Sequence, residues 1–162
     1  MVLPQNIASV LSGAWQLLNN TSTYLNGTNN PAGSMGHASV GLLIYHPLGY
    51  MSANLASTDP ADTPPANHTE LTDADFALIG RHSLNYAGEL HVWEGSNETV
   101  GTLTHGPLTT SSRPSWLKTN QTRNYIVSKN NFEGRDVLHL WLRDEKQDNI
   151  ANIIWARAKA DC

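Results

Sequence analysis

The stretch GLLIYHPLGYMSANL, residues 41–55, decides how this chain folds. His46-Pro47-Leu48-Gly49 interrupts two apolar runs. Pro cannot donate to a central ladder and Gly relaxes a tight turn, so the stretch predicts two antiparallel strands joined as a hairpin. In the second strand Tyr50, Ser52 and Asn54 alternate with Met51, Ala53 and Leu55. One face is polar and the other apolar, the period-two pattern of a half-buried strand. The direction of the faces stays open at this point. An ordinary half-exposed sheet would bury Met51, Ala53 and Leu55. Solvent faces, however, usually carry Lys and Glu, and this strand has neither.

The same alternation, punctuated by turn residues, recurs along the chain. Strands are expected over about 14–24, 38–45, 50–57, 85–94, 98–110, 121–128, 136–142 and 150–158. Only two segments read as helical. The first is about 4–11, ending before Gly13. The second lies in TDADFALIGRHSL, where Thr72 can cap a first turn that carries Asp73 and Asp75 against the dipole. Phe76 and Ile79 give this helix an apolar side, which suggests a lid across one end of the sheet. Eight short strands with few helices predict an all-β fold, an antiparallel up-and-down barrel with one or two short helices. Such a barrel is just wide enough inside for side chains or one small ligand.

Size and charge narrow the function. A chain of 162 residues fits one domain, 1–162, with a sizeable core. The formal net charge is −4 and no Lys/Arg run occurs, which argues against nucleic-acid or anionic-membrane partners. The single cysteine, Cys162, allows no intrachain disulfide, and the N-terminal residues lack a basic signal-peptide region. A reducing, cytoplasmic setting is therefore expected. In that setting the Asn-x-Ser/Thr triplets beginning at Asn19, Asn20, Asn26, Asn67, Asn97 and Asn120 are a by-product of an Asn- and Thr-rich composition.

Gly13-Ala14-Trp15 and Arg157 take on meaning in a closed barrel, whose first and last strands pair. A guanidinium over an indole face there contributes about 0.5 to 2 kcal/mol. The pair resembles the Gly-x-Trp signature and closing Arg of lipocalins. The hairpin, with Gly13-Ala14-Trp15-Gln16-Leu17, resembles the small bacterial and fungal lipocalin-like domain family. So do Tyr86-Ala87-Gly88, Thr104-His105, Pro114-Ser115-Trp116, Gln121-Thr122-Arg123, Leu138-His139-Leu140 and Trp155-Ala156-Arg157, in that order. The resemblance implies a lipocalin-like barrel and, for fungal members, a place in natural-product pathways. There such barrels act as isomerases, cyclases or pericyclases on a bound polyketide or terpenoid.

The common chemical motifs are missing. The seven histidines show neither a His-x-His pair nor His-Glu-x-x-His, so no metal is expected. Gly36-His37-Ala38-Ser39-Val40-Gly41 lacks the first Gly of a nucleophile elbow, and no phosphate or dinucleotide loop occurs, so no cofactor is expected. What remains is a set of polar and aromatic strand residues. His105, Tyr50 and Arg123 are the candidate catalytic residues. His105 or Tyr50 would move a proton, and Arg123 would hold a carbonyl or enolate oxygen. Ser52, Asn54, Tyr86, Trp116, Gln121, Tyr125 and Trp141 are the candidate substrate-binding residues. His91 is expected on an exposed face. Three functions compete: a cofactor-independent isomerase or cyclase of a small hydrophobic molecule, a carrier or sensor of such a molecule, and a barrel with a packed interior. A homodimer stays open.

Overall fold

The computed structural model describes residues 2–30, 35 and 38–159. The loop histidine His37, with Gly36 beside it in the tested elbow, and the terminal Cys162 lie outside the described residues. Eight strands follow in order: β1 (Gly13–Thr23), β2 (Ser39–His46), β3 (Tyr50–Ser57), β4 (Ser83–Val92), β5 (Val100–Ser111), β6 (Gln121–Phe132), β7 (Arg135–Asp144) and β8 (Asn149–Arg157). Each pairs antiparallel with the next and β8 returns to β1, closing the barrel. Helix α1 (Gln5–Leu11) precedes β1, and α2 (Asp73–Arg81) lies between β3 and β4. No helix among the described residues is long and apolar enough to cross a membrane.

The strand ends fall close to their expected positions, with β6 the main exception. It runs on to Phe132 because the turn is only Glu133-Gly134, with φ of 50° and 71°. The β6–β7 register slips between Ser128 and Phe132 to take up the extra residues.

Helix α1 seals one end of the barrel. Ile7, Val10 and Leu11 are buried there. The Trp15 indole donates to the Leu11 carbonyl at 2.8 Å. Arg157 lies 3.8 Å from the Trp15 ring centroid. Its Nη1 donates to Ser12 O at 2.7 Å and its Nη2 to Val10 O at 2.5 Å. The closing arginine therefore satisfies carbonyls left open at the helix C-terminus as well as covering the indole. Gly13 makes this possible: its φ is 118°, and a Cβ there would meet Arg157 Nη1 at 3.0 Å.

Helix α2 has the expected capping box, Thr72 with Asp75, but none of its residues is buried. It is not the lid that its apolar side suggests. Phe76 is exposed, and Ile79 borders an outer groove beside Leu42, Asn54 and Asn85.

The hairpin settles which face looks inward. In β3, Met51, Ala53 and Leu55 are buried, while Tyr50 is 58% exposed. Antiparallel pairing places Tyr45 opposite Met51 and Leu43 opposite Ala53, so these share the inner face.

Candidate functional site

The centre of the interior is His105 on β5, only 1% exposed. Its Nε2 lies 2.6 Å from the Tyr45 hydroxyl and its Nδ1 3.3 Å from the Tyr86 hydroxyl. The three rings come from β2, β5 and β4 and meet across the lumen at tilted angles.

A local irregularity positions the histidine. The β4–β5 register shifts on both sides of Gly88, where the opposing segment is Gly106-Pro107. Gly106 has φ of 141° and precedes a cis peptide bond. A Cβ on Gly88 would sit 2.6 Å from the Pro107 carbonyl oxygen, so only glycine lets the two backbones approach here. The bulge lets both His105 and Leu108, three residues apart, point inward and be buried.

Burial dominates the electrostatics. Desolvation, aided by the positive charge of Arg123, pushes the His105 pKa down to about 3. The imidazole is therefore neutral at ordinary pH. Burial raises both tyrosine hydroxyls, Tyr45 well above its usual value with Tyr86 adding to the effect, while Arg123 acts in the opposite direction. A neutral imidazole has one N–H donor and one bare acceptor nitrogen. One tyrosine must therefore donate to His105 and the other must accept from it, whichever tautomer is present. The accepting tyrosine keeps its own O–H, and among the described residues neither hydroxyl has another partner. One buried phenolic hydrogen is left over, a costly state unless something in the lumen accepts it.

Arg123 and Gln121 lie on the same inner face. Gln121 pairs with His105 and Arg123 with Leu103 across β5–β6. Gln121 Nε2 donates to Thr119 Oγ1 at 3.0 Å. Trp116 packs edge-on against Tyr86 with centroids 5.6 Å apart, and the Arg113 guanidinium lies 5.3 Å from the Trp116 centroid. Tyr125 is buried and points inward, but its hydroxyl is committed to the Asn97 carbonyl at 2.6 Å. Its ring can wall the interior, whereas its hydroxyl is structural. Near the sealed end the buried indole N–H of Trp155 finds no acceptor among the described residues.

The structure moves four expected site residues away from this cluster. Tyr50, Ser52 and Asn54 are on the outer face, opposite in direction to buried Met51, Ala53 and Leu55. Tyr50 and Ser52 border a shallow outer groove with Ile44 and His46. Tyr50 is thus no candidate for interior proton transfer. Trp141 pairs with Asn124 and Asn152, while its neighbour Leu140 pairs with inward Tyr125. Trp141 therefore faces outward, on the side where His139 Nε2 meets Asn152 Oδ1 at 2.8 Å. His91 is also outward and contacts Glu89 at 2.8 Å. The residue missed by the sequence reading is Tyr45. Both faces of β2 are apolar, so no polar alternation marks it, and only its pairing with Met51 could have shown that it turns inward.

Among the described residues no three His, Cys, Asp or Glu side chains come together as a metal site. No curated protein and no solved structure matches the chain. The Gly13–Trp15 entry, the barrel it opens and the Arg157 that closes it lie within a match to the family model of the lipocalin-like domain over residues 12–158, and the chain belongs to that family.

Proposed function

We propose that the barrel takes up a small hydrophobic molecule bearing an oxygen and isomerises or cyclises it without a cofactor. The observation that carries this reading is the hydrogen count at Tyr45–His105–Tyr86: two phenols around one neutral imidazole leave one O–H with no acceptor among the described residues. A substrate carbonyl can accept it. The surrounding Leu90, Leu103, Leu108 and Leu140 are buried and suit an apolar body.

The chemistry follows from the geometry. The spare O–H hydrogen-bonds the carbonyl and stabilises negative charge that develops on its oxygen, while the positive charge of Arg123 favours the same oxyanion. A proton given up by one phenol is replaced through His105 from the other, the imidazole accepting at one nitrogen as it releases at the other. The phenolate so formed is reprotonated by the proton the substrate loses on isomerising, so no net charge or proton is gained. The imidazole thus passes a proton on without storing charge, as expected of a group whose conjugate acid is this unfavourable. Enclosure of a flexible substrate adds the orientation part of catalysis.

A second reading, a carrier, is favoured by the same leucines. The two separate in a D₂O incubation of whatever molecule co-purifies with the protein, followed by chromatography and mass spectrometry. Wild type and the outer-face variant Tyr50→Phe should deuterate or convert it, and His105→Ala and Tyr86→Phe should not. Wild-type protein that returns the molecule unchanged and free of deuterium refutes catalysis and leaves the carrier.

A further inference from the structure

Arg123 is a half-buried cation on the inner face, and its surroundings do not neutralise it. Its Nη1 donates to the Thr122 carbonyl at 2.7 Å, which uses one of its five N–H donors. Among the described residues no carboxylate forms an ion pair with it, although Arg135 and Arg143 each pair with a glutamate. The chain has 14 acidic against 10 basic residues, so acids are not scarce. They are placed elsewhere. The inner-face neighbours of Arg123 are Leu103 opposite, Gln121 and Tyr125 along its own strand, and His105 on the diagonal. None of these is an anion in the neutral pH range.

A guanidinium withdrawn from water without a counter-charge is costly, and its planar fork matches a carboxylate in two parallel hydrogen bonds. The leftover phenolic O–H beside it is a donor too. The two groups left unmet in this part of the lumen, the guanidinium and the spare phenolic hydrogen, are therefore a positive charge and a donor. We propose that the ligand of the barrel is an anion, an apolar molecule carrying a carboxylate that Arg123 anchors. This deepens the ligand-binding reading above and rests on it. A neutral terpene or plain hydrocarbon would leave both donors unmet.

Two matched pairs of probes test the assignment by isothermal titration calorimetry: decanoate against decan-1-ol, and cinnamate against cinnamyl alcohol. In wild type the acid of at least one pair should bind tenfold or more tightly than its alcohol. Arg123→Gln should abolish that preference, and Arg123→Lys should keep part of it. Equal binding of acid and alcohol to wild type, or a preference that survives in Arg123→Gln, overturns the anion assignment and leaves the ligand-binding reading standing. Binding of none of the four probes to wild type counts against both. The wild-type comparison needs no variant, so a misfolded Arg123→Gln does not remove the test.

Discussion

Stability in mild acid should report directly on His105. In the unfolded chain its imidazole takes up a proton as pH falls through about 6.5, while in the barrel it stays neutral until about 3. Between those values the unfolded state binds the extra proton, so stability falls as pH falls and is retained above about 6.5. Each pH unit inside the window costs up to about 1.4 kcal/mol, so the loss is about 2 kcal/mol by pH 5 and about 5 kcal/mol over the whole window. Those losses are comparable with the total stability of a small domain, about 5 to 15 kcal/mol. The lowered carboxyl groups of Asp75, Glu98 and Asp136 act in the same direction at lower pH, and a comparison with His105→Gln cancels them. The assay is urea unfolding followed by tryptophan fluorescence at several pH values from 4 to 7.5. The difference in unfolding free energy between the two proteins should change by about 1.4 kcal/mol per pH unit between pH 4 and 6. Parallel pH profiles would refute a buried, neutral His105.

Two further substitutions probe the frame around the site. Arg157→Ala removes the cation over Trp15 and the hydrogen bonds to Ser12 and Val10, and should lower stability by roughly 2 to 4 kcal/mol in the same urea assay; a change below about 0.5 kcal/mol would show the seam to be decorative. Gly106→Ala puts a Cβ on a residue with φ of 141° and against the Thr119 carbonyl, and should cost at least about 2 kcal/mol; a shift in the urea midpoint indistinguishable from zero would contradict the backbone described there.

The strands and the barrel were legible because their signals are local. Pro47 and Gly49 mark one turn, Thr72 and Asp75 cap one helix, and Gly13, Trp15 and Arg157 mark the seam. The inner face of β3 was not legible from its own residues. Tyr50, Ser52 and Asn54 lack charge because the outer surface they join is itself apolar, with Val40, Leu42 and Ile44 exposed on the neighbouring strand. Absence of Lys and Glu therefore said nothing about direction. His105 and Arg123 stood out as polar residues on strands, and the structure puts both on the inner face. Tyr45, the partner of His105, lies 60 residues away from it in an apolar strand, and only the closed sheet brings the two rings together.

The way the sheet closes also orders how the chain can fold. Seven of the eight pairings join strands adjacent in sequence and can form while the chain is still growing. The eighth, β1 with β8, is different: the Arg157–Ser12 bond spans 145 residues. Bringing such distant segments together costs about 4 kcal/mol of chain entropy by a logarithmic loop law. Until Arg157 has emerged, β1 has one open edge, and an open edge is a surface on which another copy can dock. The contacts that seal the seam are thus also what protects the newborn chain from its neighbours, and changes there should reduce the yield of folded protein more than its affinity for a ligand.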